Sequence, residues 1–173
     1  MAIEKDLFRR VMGSFPSGVT VITTHEPGGE PRGFTASAVS SLSMEPRQLL
    51  VCINNFSTTL DAVRQVGAFA VNILASEQQA IAGRFAARSG DKFAGVAWEP
   101  GDLGMPILTG ALAHAECRLA ATYPGGDHTI LVGEVVAASA RDAAPLLYFR
   151  GAYGSYAGAV PSILYPTEGW EIW

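Results

Sequence analysis

Apolar positions in this chain change their spacing several times, and each change marks an element. Ile3, Leu7, Phe8, Val11 and Met12 recur at helical spacing before Gly13 and Pro16, which predicts a short amino-terminal helix. From Val19 to Thr24 β-branched residues alternate, and the Pro- and Gly-containing cluster from Glu26 to Glu30 turns that strand into a second one over Gly33 to Ser43. Gln48 to Ile53 is a continuous apolar run of the kind a buried strand shows, and Asn54 and Asn55 open a loop after it. Ser57 to Asp61 carries a helix start, with Thr58 and Asp61 at capping spacing, and the helix runs to Val66 and stops at Gly67. Phe69 to Leu74 predicts a strand, and Ser76 to Gln79 opens a second helix that reaches Phe85. Two long strands, Ala111 to Thr122 and His128 to Ala138, flank a turn over Tyr123 to Asp127, and Leu146 to Phe149 adds another strand.

Consecutive strands joined by turns, with helices few and short, predict a mainly β fold: an antiparallel β-barrel or a sandwich in place of a doubly wound parallel sheet. Consistent with that, the chain has no GxGxxG, no P-loop and no GxSxG. No repeat or linker divides it, so residues 1–173 are expected to form a single domain ending in a tail from Pro161 to Trp173.

Composition narrows the partners. Hydrophobic residues are 49% of the chain and charged residues 16%, apolar enough to predict that a second copy covers part of the surface, as in a homodimer. A formal charge of -4 and a pI near 5.3 leave no basic stripe for nucleic acid. No apolar run approaches a membrane span, and the charged amino end lacks the apolar core of a secretory signal, so a cytoplasmic protein is expected. Cys52 and Cys117 stand far apart, form no CxxC and read as buried small hydrophobes.

Candidate chemistry begins with Gly33 to Ser43, which packs five hydroxyl side chains and two alanines into one strand. Alternation puts Thr35, Ser37, Ser41 and Ser43 on one face and Phe34, Ala36, Ala38 and Leu42 on the other. Alone, this composition favours a solvated strand over a site, although a shallow donor-rich face also suits a flat heteroatom-rich ligand. The helix start at Ser57, Thr58 and Thr59 is a potential anion site because first-turn N–H groups lack partners. His128 follows Gly126 and Asp127 at a hairpin tip, where an imidazole can stand over a cleft. His114 and Glu116 share a strand face, but two ligands do not make a metal site, and no metal is expected. Local spacing assembles no nucleophile–base pair and no paired carboxylates.

Ten segments in this order resemble the short-chain flavin reductase family, the split-barrel, Greek-key reductases of two-component flavin-dependent monooxygenases. They are Gly18 to Thr24, Gly33 to Ser41, Leu50 to Asn54, Ser57 to Thr59, Phe69 to Asn72, Arg84 to Ala86, Asp91 to Phe93, Gly110 to Leu112, Gly126 to His128 and Leu146 to Gly151. The resemblance implies that Thr35, Ala36, Ser37, Ala38, Ser40 and Ser41 lie along a flavin ring bordered by Cys52, Ile53 and Asn54. It implies that Ser57, Thr58 and Thr59 bind the flavin phosphate and that Ala86, Lys92 and Phe93 close the pocket. It also puts His128 beside the nicotinamide, with Arg150 and Tyr153 as further dinucleotide contacts. The implied activity is reduction of FMN or FAD by NADH or NADPH, with the reduced flavin passed to a separate monooxygenase. A barrel that keeps its FMN and acts on an organic substrate, or a flavin-binding module without activity, would share these segments. Asn54, Asn55 and Phe56 include no cation, so phosphate charge would fall to the helix amides or to a distant side chain such as Arg84 or Arg88.

Overall fold

The computed structural model describes residues 2–88 and 90–158; the tail from Pro161 to Trp173 lies outside the described residues. The elements in order are α1 (Lys5–Gly13), β1 (Ser17–Gly18), β2 (Thr20–His25), β3 (Pro31–Ala36), β4 (Val39–Met44), β5 (Arg47–Asn54), α2 (Thr58–Val66) and β6 (Ala68–Ile73). A 3-10 turn (Ser76–Gln78) then leads into α3 (Gln79–Ala86), β7 (Trp98–Pro100), β8 (Pro106–Leu108), β9 (Ala113–Gly125), β10 (His128–Ala140), β11 (Leu146–Phe149) and β12 (Ala152–Ser155).

Seven strands form the main antiparallel sheet in the order β3-β2-β6-β9-β10-β5-β4. Strands β3 and β4 occupy its opposite edges, yet only Ser37 and Ala38 separate them in sequence. The sheet is therefore rolled until its edges nearly meet; at the corner the Cys52 N–H bonds the Ala38 carbonyl at 3.0 Å, continuing the β4–β5 ladder by one rung. This is the barrel of the two folds that the strand order predicts, and the split antiparallel form is the one the family resemblance implies.

The rolling corrects one expectation. Gly33 to Ser43 is two strands, because the chain must cross from one edge of the barrel to the other and small residues allow the corner. Leu42 then bulges, since Ser41 pairs with Leu49 and Ser43 with Gln48, so strict alternation does not hold through this segment. Three further boundaries shift. Ser57, not Thr58, caps α2; β9 begins at Ala113; and pairing of Gly125 with His128 narrows the hairpin turn to Gly126 and Asp127. Cys117 is buried as expected, but Cys52 is only half-buried.

The barrel interior packs Ile22, Val51, Ile53, Phe69, Val71, Cys117 and Leu131 against Leu60 and Val63 of α2. Helix α2 ends as its sequence requires, with Gly67 in the left-handed region at φ 73° and its N–H on the Val63 carbonyl. Glu116, 1% exposed, accepts the N–H groups of Asp102 and Leu103, both at 2.7 Å, so the carboxylate holds the turn after β7 and does not serve as half of a metal pair. Among the described residues no three His, Cys, Asp or Glu gather as a metal site, and no helix is long and apolar enough to cross a membrane.

Candidate active site

A cleft of about 1160 Å³ opens between β3, the loop after β5, the first turn of α2 and the segment following α3. Eight of the residues singled out in the sequence line it: Thr35, Asn54, Ser57, Thr58, Thr59, Ala86, Lys92 and Phe93. Their convergence follows from the barrel, because α2 packs on β2 and β3 while α3 packs on β3.

The first turn of α2 is the electropositive end of the cleft. Ser57 caps it with extended backbone (φ -78°, ψ 124°) and makes no side-chain capping bond, which leaves its hydroxyl and the leading amides open to an anion. The loop before it is self-supported: Ser57 N–H bonds the Asn54 carbonyl at 3.0 Å, and Phe56 N–H bonds Asn54 Oδ1 at 2.9 Å. Phe56 itself stands 92% exposed at the rim.

The walls supply cations that the local sequence lacks. Lys92 donates to the carbonyls of Phe85 at 3.0 Å and Gly33 at 3.3 Å, joining the end of α3 to β3, and burial lowers its pKa. Arg32 is held by Glu26 at 2.7 Å and Glu30 at 3.3 Å, and the Glu26 hydrogen bond raises its pKa. Arg88 lines the cleft and makes no ion pair among the described residues, whereas Arg84 donates to the Ala94 carbonyl. Arg88 is thus the cation available to an anion here. The sequence singles out Ala86, Lys92, Phe93 and Arg88 on this wall but not Arg32, Phe56 or Asp91 as cleft residues.

The other sequence candidates lie elsewhere. Ala36 and Ile53 face the barrel core, at 7% and 0% exposure. Ser37 and Ala38 form the exposed seam, Ser40 and Ser41 lie exposed on the edge strand β4, and Cys52 is half-buried on β5. Thr35 lines the cleft but donates its hydroxyl to the Ala82 carbonyl at 2.7 Å, so its donor holds α3 in place.

His128 pairs with Asn54 at the last rung of the β5–β10 ladder, beside the loop that leads into α2. Its Nδ1 lies 2.7 Å from Asp127 Oδ1. An ionised carboxylate only accepts, so Nδ1 carries the proton of this bond. The same bond lowers the Asp127 pKa below the ordinary carboxylate value; the pairing is complete above that value and is lost as pH falls through the lowered pKa.

Arg150 and Tyr153 are not brought to the cleft within one chain. Arg150 sits at φ 49° in the turn between β11 and β12, its N–H bonds the Gly13 carbonyl at 3.1 Å, and it borders a second cavity of about 870 Å³ with α1. Tyr153 packs beside Tyr148 with ring centroids 5.6 Å apart.

A family model for the flavin reductase like domain matches residues 12–157. The chain belongs to this flavin reductase family. A flavin reductase (NADH) of Kitasatospora aureofaciens is 46% identical over 158 residues, covering 89% of this chain and 83% of that protein. The reductase subunit HsaB of a flavin-dependent monooxygenase from Rhodococcus jostii is 45% identical, covering 88% of this chain and 78% of its own. Among solved structures, the Streptomyces globisporus NADH:FAD oxidoreductase SgcE6, in complex with NAD and FAD fragments, superposes with a TM-score of 0.86 at 36% identity, covering 91% of this chain and 96% of that one. The cleft fits what a flavin reductase must hold, because the uncapped α2 terminus and Arg88 offer donors and positive charge to a phosphate-bearing flavin tail.

Proposed function

We propose that this protein passes hydride from NADH to FMN or FAD and releases the reduced flavin to a separate flavin-dependent monooxygenase. The observation that carries the reading is the uncapped start of α2 at one end of an open cleft, one loop away from the Asp127–His128 pair. When bound, the flavin accepts hydride at its N5 from nicotinamide C4, so the cofactors supply the redox chemistry. The chain binds and orients. Ser57, Thr58 and the first-turn amides take the phosphate with help from Arg88, while Thr35 and Asn54 of the cleft, with the exposed Ser37, Ala38, Ser40 and Ser41 and the half-buried Cys52 near them in the chain, border the ring. Ala86, Lys92 and Phe93 close the cleft. His128, its ring held by Asp127, hydrogen-bonds the nicotinamide carboxamide. No general acid or base is required, which accords with the absence of a paired set.

The direct test follows NADH absorbance with free FMN and free FAD. Catalytic oxidation with either flavin is expected; inactivity with both flavins, using NADH and NADPH in turn, overturns the reading. A protein that keeps its flavin through gel filtration and acts on an organic substrate instead would also overturn it. His128→Ala is expected to raise KM for NADH roughly tenfold, the weight of about one hydrogen bond, and to leave KM for flavin within about twofold.

A homodimer also belongs to this reading, with α1 as part of its interface. The helix buries no residue in a single chain, and Leu7, Phe8, Val11, Met12 and Phe15 are 50–74% exposed. A nine-residue helix is marginal alone in water and needs packing of its apolar face. The cavity beside this face is also lined by Tyr148 and Arg150, which brings Arg150 to the interface. Light scattering is expected to give twice the chain mass, and Leu7→Asp with Val11→Asp to give monomers; a wild-type monomer rules the interface out. Reaction with a nicotinamide donor and two free cysteines support a reducing, cytoplasmic setting.

A further inference from the structure

Strand β5 ends at Asn54, and the next residue, Asn55, does what a further rung of the ladder would do. Its backbone N–H bonds the Asp127 carbonyl at 3.1 Å, and its Nδ2 donates to the Gly126 carbonyl at 3.1 Å. Its Oδ1 accepts the Thr129 hydroxyl at 2.8 Å. Both ends of one amide are therefore spent on the two sides of His128. The support extends into α2, because Arg64 donates to Thr129 Oγ1 at 3.4 Å.

We infer that Asn55 is a positioning residue for NADH: it clamps the Gly126–Asp127–His128 tip against α2 and so sets the imidazole relative to the flavin phosphate end. The inference rests on the proposed nicotinamide contact of His128. Residues 126 and 127 form a two-residue hairpin turn, with φ 73° at Gly126, that projects beyond the last rung of the β9–β10 ladder. The Asp127 carboxylate fixes the ring within the tip but is 83% exposed and makes no side-chain hydrogen bond outside it among the described residues. The tip itself is fixed from outside by Asn55. The amide is specific for this task, since aspartate would keep the acceptor for Thr129 yet set a carboxylate oxygen against the Gly126 carbonyl.

Two measurements test it. In flavin-free protein, Asn55→Ala is expected to speed hydrogen exchange in the peptide spanning 124–130, with the strand amides of β9 and β10 away from the tip unchanged. In steady state it should raise KM for NADH roughly tenfold, Asn55→Asp at least as much, and KM for flavin should stay within about twofold. Combined with His128→Ala, the Asn55→Ala effect on NADH should vanish, because it acts through the ring. Unchanged exchange at the tip overturns the clamp. Equal rises in both KM values, or additivity with His128→Ala, show a merely structural role and overturn the positioning assignment. If His128→Ala alone leaves KM for NADH unmoved, the nicotinamide half falls with the reading beneath it, while hydrogen exchange still decides whether Asn55 holds the tip.

Discussion

Thr58→Asp is expected to raise KM for FMN and FAD by about thirtyfold or more while leaving the protein as stable as before, or slightly more so. The two effects have one origin. A carboxylate in the first turn interacts favourably with the helix dipole, about 0.3–1 kcal/mol at an exposed position, and Thr58 is exposed at that turn. The same carboxylate takes the amides that a phosphate would use and repels it. Loss of a charge-assisted hydrogen bond costs about 1.5–3 kcal/mol, and repulsion across a few ångströms adds to that. Riboflavin, which has no phosphate, is the control: its reduction should change little. A melting temperature that rises by about 1–3 °C alongside a selective loss of FMN and FAD would separate binding from folding. Equal loss of riboflavin would show that the α2 terminus is not the phosphate site.

The second large effect falls on stability. A Cβ at Gly133 would lie 2.5 Å from Phe69 Cζ and 2.7 Å from Cys117 Cβ, both residues fully buried in the barrel. Gly133 lies on β10 where the pairing with β9 slips between Val132 and Gly133, so the backbone presses closest to the core there. Overpacking of this kind costs about 1–3 kcal/mol, and Gly133→Ala is expected at the upper end because the contacts are with a ring and a backbone-anchored Cβ. Thermal unfolding should show a drop of about 6–12 °C. Phe69→Leu should recover part of that loss by removing the nearest atom, even though it is destabilising alone. Gly83→Ala in α3 is the opposite case: nothing lies within 4 Å of the added Cβ, so the helix should gain about 0.5–1 kcal/mol. A mild Gly133→Ala phenotype would mean that the sheet slides open at the slip.

Several features were legible because their causes are local. The apolar spacing of Leu7, Phe8 and Val11 specifies a helix without reference to anything else, and so does the stop at Gly67. The hairpins joining β2 to β3 and β9 to β10 follow from turn residues between alternating runs. The ordered segments that resemble flavin reductases were readable for the same reason, since each is a short run of backbone and side-chain chemistry.

Three features were not legible, and each is set by contacts distant in sequence. Alternation through Gly33 to Ser43 predicts one hydroxyl face, but edge-to-edge closure of the barrel breaks the strand at Ser37 and Ala38 and sends its halves to opposite edges. Glu116 reads as a surface or metal-side carboxylate until the turn at Asp102 and Leu103 folds over it. Asn55 reads as a loop residue until β10 arrives beside it.

The sequence by itself determined the helices, hairpins, family and the helix start at Ser57, because those depend on spacing and backbone chemistry within a dozen residues. Only the tertiary structure decided which candidates meet. Rolling the sheet gathered Thr35, Asn54, Ser57 and Lys92 around one cleft and brought up Arg88, while it turned Ala36 and Ile53 into the core. The physical reason is that a strand residue's face is set by where its sheet closes, and closure depends on every strand at once.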